Sequence, residues 1–300
     1  MLPAVPALFL ERLHAQYGAA LADEIVSGLV RRPVTLRANP LKADALTVRQ
    51  ALEAAGIAHD TVPWYADAFI LRDVREERVQ ALPGYADGQM YLQSLSSMIP
   101  PLVMRPQKNE SILDMAAAPG GKTTQMAALS ANGALITACE KNKVRADRLR
   151  FNLERQGATR VSVLCQDARQ LSDLFKFDKV LLDAPCTGSG TLLIEEGEPE
   201  RRMTADWVAK TVSIQKALLK KALTLLSAGH EMVYSTCSIL REENEDVLNA
   251  VLPAMKAEIV PITDDFMQHV PLLPTAIPGV VCVKPTALFE GFFVAKIRKK

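Results

Sequence analysis

Ser111-Ile-Leu-Asp-Met-Ala-Ala-Ala-Pro-Gly-Gly-Lys122 is the stretch whose reading decides the fold. Its apolar start, Ser111 to Met115, suits a short buried strand, and the small residues and paired glycines that follow suit a tight turn opening a helix. At such a junction free backbone N–H groups let a polar ligand approach the main chain. A phosphate-binding P-loop would need glycine where Ala116 stands, ahead of Gly121, Lys122 and Thr123. A nicotinamide-binding loop would need G-x-G-x-x-G, which is absent. What survives is nucleoside recognition. Glu140 lies 19 residues beyond Gly121, where two carboxylate oxygens can accept both ribose hydroxyls. Equally, Glu140 could simply begin a helix and complement its dipole. Asp167 could accept a bond from an exocyclic amine, or it could cap a helix.

Outward from this turn the pattern repeats. Candidate strands run over Ser111 to Met115, Ala134 to Cys139, Val161 to Leu164, Lys179 to Asp183 and Glu231 to Ser235, with helical segments between the first three and before the last. Strands alternating with helices imply an α/β fold with a parallel sheet covered on both faces and a ligand site at the strands' carboxyl ends. Those ends carry Asp114, Glu140, Asp183 and Cys237, with Asp167 just past the third strand. Upstream, Ala7 to Val30 has the spacing of short amphipathic helices, Val34 to Asn39 alternates, Val48 to Ala55 is helix-like, and Ala68 to Leu71 is a short apolar run. We read residues 1–84 as a small α+β domain and 85–300 as the larger one.

Composition is that of an ordinary globular chain, 49% apolar and 23% charged. The apolar start, Met1 to Leu10, lacks a basic segment and is too short to span a bilayer, so a cytoplasmic protein without membrane contact is expected. Five cysteines, none in a C-x-x-C pair, indicate neither a disulfide framework nor a metal site. A formal charge of +1 leaves any polyanion partner to local clusters: Arg31, Arg32 and Arg37; Lys141, Lys143, Arg145, Arg148 and Arg150; Lys296, Arg298, Lys299 and Lys300. Cys139, Cys165 and Cys282 lie in or near apolar strands and read as inert small hydrophobes. Cys186 and Cys237 instead sit among turn-forming and polar residues that solvent and substrate can reach.

The strings Asp114-Met-Ala-Ala-Ala-Pro-Gly-Gly-Lys-Thr123, Asp183-Ala-Pro-Cys186 and Ser235-Thr-Cys-Ser238, with Glu242-Glu-Asn-Glu245 behind them, resemble the RNA cytosine-C5 methyltransferases of the Sun (NOL/NOP/Sun) family, close to its bacterial RsmF type. Leu36-Arg-Ala-Asn-Pro-Leu-Lys42, Tyr91-Leu-Gln-Ser-Leu-Ser-Ser-Met98 and Glu290-Gly-Phe-Phe-Val-Ala-Lys296 extend the likeness over nearly the whole chain. The resemblance implies a Rossmann-like class I methyltransferase sheet behind an N-terminal RNA-binding domain, and S-adenosylmethionine as cofactor. It assigns cofactor contacts to Ala116, Ala117, Ala118, Pro119, Gly120, Gly121, Lys122, Glu140, Asp167 and Asp183. Cys237 would attack C6 of the cytosine, Cys186 would help release the product, Asp183 in protonated form would donate at N3, and Lys122 would help hold the base. The expected partner is RNA, ribosomal ahead of transfer RNA, met by a monomer lacking the added C-terminal RNA-binding module common in the RsmF type. A non-catalytic RNA-binding protein would need neither thiol.

Overall fold

The computed structural model describes residues 5–194 and 203–300; Met1 to Ala4 of the apolar start lie outside them. Helices α1 (Ala7–Tyr17) and α2 (Ala19–Ser27) come first. A four-stranded antiparallel sheet follows, built from β1 (Thr35–Ala38), β2 (His59–Val62), β3 (Tyr65–Leu71) and β4 (Met90–Leu92) in the order β2-β3-β1-β4. Between its strands lie α3 (Ala45–Ala54), whose N-terminus Asp44 caps by accepting the Thr47 amide at 2.8 Å, and the short α4 (Glu76–Gln80) and α5 (Pro83–Ala86). Leu36, Val48, Leu52, Phe69, Leu71 and Met90 form its core.

Helix α6 (Leu95–Met104) leads into the large sheet. Pro100 and Pro101 lie inside it, yet the helix persists because eight of its ten residues are buried against neighbours. The large sheet comprises β5 (Ser111–Asp114), β6 (Leu135–Cys139), β7 (Val161–Leu164), β8 (Phe177–Asp183) and β9 (Leu226–Thr236), then β10 (Ala257–Val260), β11 (Leu272–Leu273), β12 (Val281–Val283) and β13 (Phe292–Lys299). Its order is β11-β12-β13-β9-β8-β5-β6-β7, with β10 on β13. The expected parallel ladder holds from β7 to β9. Beyond it the sheet is mixed, because β13 returns antiparallel to β9. Strand order reverses at β5, flanked by β6 on one side and β8 on the other, so the ligand crevice falls outside the ends of β5 and β8.

Period-two alternation sends neighbouring residues into opposite cores. Ile112, Leu181, Val233 and Val294 join a layer with α6, α7 (Gly121–Leu129) and α8 (Lys143–Gln156). Leu113, Leu182, Tyr234 and Phe293 face the layer of α9 (Ala205–Leu225), α10 (Glu245–Val251) and Phe9, Leu13 and Ile25 of α1 and α2. Helices α1 and α2 cover the large sheet, and β4 completes the small one at residues 90–92. Amphipathic spacing shows that a helix has an apolar face, not which sheet buries it. Among the described residues no helix is long and apolar enough to cross a membrane.

Candidate active site

The glycine turn is held from below. Gly120 has φ +110, and a Cβ there would meet Leu149 Cδ1 at 3.0 Å, so α8 packs directly under it. From the same helix, Arg145 Nη2 donates to the Ala118 carbonyl at 2.7 Å and Asn152 Nδ2 to the Pro119 carbonyl at 2.8 Å. Buried Asp114 accepts from Thr123 Oγ1 at 2.7 Å and the Ala116 amide at 3.4 Å. Burial pushes its carboxyl up to about 6.

Lys122, in the first turn of α7, donates from Nζ to Asp183 Oδ2 at 2.7 Å and to Ser97 Oγ at 2.8 Å, and lies 5.1 Å from the Phe292 ring centroid. Asp183 Oδ1 accepts from Ser235 Oγ at 2.7 Å. Asp183 thus accepts on both oxygens, from Lys122 and from Ser235.

Cys186 and Cys237 follow the parallel neighbours β8 and β9, and their sulfurs are 3.2 Å apart. A cleft of about 1140 Å³ is lined by Asp114, Ala116 to Pro119, Gly121, Lys122, Asp183 and Cys237, together with Arg31, Arg32 and Arg75. Gly120, Cys186, Glu140 and Asp167 are not among its lining residues. The hydrogen bond with Cys237, then burial and the charges of Cys237 and Glu243, raise the Cys186 thiol well above its ordinary range. Burial likewise takes Cys139 and Cys282 up to about 12, in keeping with inert thiols. Cys165, expected to be similar, is exposed, because it lies just past the end of β7.

Glu140 is 4% exposed; Oε1 accepts the Asn142 amide at 2.8 Å and Oε2 lies 3.5 Å from Arg145 Nε. Asp167 caps the 3-10 turn Ala168–Gln170 and is gripped by the Arg169 guanidinium, with contacts down to 2.6 Å, which holds its carboxyl below the usual range. Two basic clusters also differ from expectation. Arg37 is fully buried, donating to Gln93 Oε1 at 2.8 Å, Thr124 Oγ1 at 2.7 Å and the Gly121 carbonyl at 3.2 Å. β1 is an inner strand, so both of its faces are covered. At the C-terminus Lys296 and Arg298 pair with Glu231, and Lys300 with Glu258. The α8 cluster alone stays on the surface throughout, with Lys141, Lys143, Arg145, Arg148 and Arg150 all exposed.

Sequence reading passes over Ser97, Ser235, Phe292 and Glu243. Each acts through a contact between distant segments; all four lie within the quoted family strings, which give none of them a role.

Two family models match the chain: a 16S rRNA methyltransferase RsmB/F model over residues 101–298 and an RsmF/B-like ferredoxin-like domain over 5–76. A human 28S rRNA (cytosine(4447)-C(5))-methyltransferase is 35% identical over 93% of this chain, and Ribosomal RNA small subunit methyltransferase F of Shewanella woodyi 34% over 88%. The chain spans 36% and 57% of the lengths of these two relatives. Among solved structures, NSun6 from Pyrococcus horikoshii with SFG superposes with a TM-score of 0.88 at 25% identity, over 100% of this chain and 99% of that one. A methyltransferase homolog protein from the same organism gives 0.79 at 31% identity, over 99% and 100%.

Proposed function

Because the chain belongs to the RsmB/F methyltransferase family, we propose that it methylates C5 of a cytosine in RNA, ribosomal RNA in particular, through a covalent bond from Cys237. The observation that carries this reading is Cys237, which lines one cleft with the Lys122–Asp183 pair and residues of the glycine turn, with the Cys186 sulfur 3.2 Å behind it. Single-ligand pockets typically span roughly 300–1,000 Å³, so about 1140 Å³ suits a nucleoside cofactor together with a base. The small side chains of Ala116 to Ala118 and Gly121 leave the main chain approachable, so these residues fit S-adenosylmethionine. We assign its binding to Ala116 through Lys122, with Glu140 at the ribose, Asp167 sharing its lone pairs between Arg169 and the adenine amine, and Asp183 nearby. When bound, it supplies an electrophilic methyl group.

C5 of cytosine is a poor nucleophile. The Cys237 thiolate adds to C6, forming an S–C6 bond and pushing electron density towards C5. Lys122 stands as the donor for charge developing on the ring, held in place by Asp183 and Ser97. After methylation the C5 proton must leave and the S–C6 bond must break, and we assign help in that release to Cys186, whose sulfur is 3.2 Å from that of Cys237. Bisulfite sequencing of total RNA from cells with and without the protein tests the reading, and an unchanged cytosine map contradicts it.

Glu140→Ala is expected to weaken S-adenosylmethionine binding by about 1–3 kcal/mol, since ribose hydroxyls and the Asn142 amide lose their acceptor. Calorimetry showing equal affinity in the two proteins overturns the assignment.

RNA should also meet the small sheet and the exposed face of α8. Lys143 and Arg148 are exposed on α8 and Lys141 just ahead of it, and their joint replacement by Ala should weaken RNA binding and flatten its salt dependence. The slope of log K against log salt should become shallower by roughly 0.7 to 0.9 for each phosphate that the variant no longer neutralises. An unchanged slope in filter binding removes α8 from the interface.

A further inference from the structure

Glu243 belongs to a single 3-10 turn, Arg241–Glu243, and its side chain is fully buried. Oε1 accepts the Thr187 amide at 2.9 Å and Gln215 Nε2 at 3.2 Å; Oε2 accepts Thr187 Oγ1 at 2.6 Å. All three partners donate, so the group is wired as a carboxylate, and none of them carries a positive charge. Gln215 donates also to the Pro185 carbonyl at 2.9 Å, and the Tyr234 hydroxyl to the Glu243 carbonyl at 2.7 Å. Both neighbours of Cys186, Pro185 and Thr187, are therefore pinned by one small network. A carboxylate buried among neutral donors costs more than the amide of the same shape, so packing alone does not account for its charge.

Two sulfurs 3.2 Å apart cannot both hold a full negative charge cheaply, and something must decide which keeps the proton. We infer that Glu243 is a positioning residue that makes this choice. Its charge lies on the Cys186 side, holding Cys186 as the thiol and leaving Cys237, which faces the cleft, as the sulfur that attacks. The inference rests on the catalytic reading above and adds what sets the two cysteines apart. The titratable groups around Cys186 are Cys237 from the loop after β9, Tyr234 from β9 and Glu243, with Asp183 and its Lys122 partner acting next on Tyr234, while α9 contributes the uncharged Gln215.

The test is alkylation by iodoacetamide, in which a thiolate displaces iodide, read by mass spectrometry for each cysteine across a pH series without RNA or cofactor. In the unmodified protein Cys237 should reach half-maximal rate at lower pH than Cys186. The midpoint reports acidity, whereas access changes only the plateau. Glu243→Gln keeps every hydrogen bond, since its amide oxygen can accept and its NH₂ can donate to Thr187 Oγ1, but removes the charge. Cys186 should then be labelled about tenfold faster at a given pH below its midpoint, the effect of one unit of thiol acidity. Thr187→Val keeps the charge and should leave the order of labelling as it was. Equal midpoints in the unmodified protein overturn the inference, whatever happens to the folding of the variant. So does an unchanged Cys186 rate in folded Glu243→Gln. A shifted Cys186 rate in a protein that methylates no RNA would support the charge assignment while removing the proposed reaction.

Discussion

Cys237→Ala is expected to abolish methylation and to form no covalent complex, whereas Cys186→Ala is expected to accumulate an RNA–protein adduct that survives denaturing electrophoresis. The difference follows from the place of each sulfur. Cys237 lines the cleft, and Cys186 sits 3.2 Å from it on the neighbouring strand's loop. Without Cys237 nothing adds to C6, C5 is never activated, and the loss should be complete within detection. Without Cys186 attack still proceeds, but the step that clears the S–C6 bond has no group to carry it, so the complex persists. If Cys186 were only a small residue filling its turn, its replacement would neither trap RNA nor slow turnover greatly. Each variant is incubated with RNA and S-adenosylmethionine and compared on denaturing gels. An adduct with Cys237→Ala and none with Cys186→Ala means that the roles are exchanged.

The second large effect is on stability. Gly190→Ala should lower the free energy of unfolding by about 3 kcal/mol, the upper part of the range for overpacking, because backbone atoms on the facing segment cannot step aside. A Cβ at Gly190 would lie 2.1 Å from the Gly291 carbonyl oxygen and 2.7 Å from its Cα. The two segments are joined there by the Gly291 amide to the Gly190 carbonyl at 2.8 Å, and the Gly190 amide donates to the Cys237 carbonyl at 3.0 Å. Separating them pulls on both cysteine loops. Gly229→Ala is the comparison: nothing lies within 4 Å of its Cβ, so it meets only the strain of φ +80, about 1–2 kcal/mol. Urea midpoints measure both. A smaller loss for Gly190→Ala than for Gly229→Ala contradicts the crossing as described.

The two glycines show where sequence reading runs out. Gly190 closes the string Asp183 to Gly190, and Gly291 stands far along the chain in Glu290 to Lys296; neither stretch hints at the other. The antiparallel return of β13 against β9 is equally hidden, because a buried apolar run has the same appearance in a parallel or an antiparallel ladder. In the sequence Arg37 groups with the basic residues, because alternation in Val34 to Asn39 marks only one face as buried. The four residues Thr35 to Ala38 are buried on both, since β1 lies inside its sheet. The contacts of Asp183 with Lys122 and Ser235, which reach it from other elements, are likewise not legible in its own stretch of sequence.

The sequence by itself determined the alternation of strand and helix from Ser111 to Ser235, the glycine turn after the first of those strands, and the placing of Asp114, Glu140, Asp183 and Cys237 at strand ends. These are local properties: periodicity, turn chemistry and the absence of bulky side chains act within a few residues of one another. The tertiary structure alone decided that the two thiols meet, that Lys122 pairs with Asp183, that α1 and α2 cover the large sheet, and that a buried carboxylate at Glu243 stands against the Cys186 turn. Each of these depends on which distant surfaces share a core. That is settled by the free energy of burying all the apolar faces at once, and no single stretch of the chain contains it.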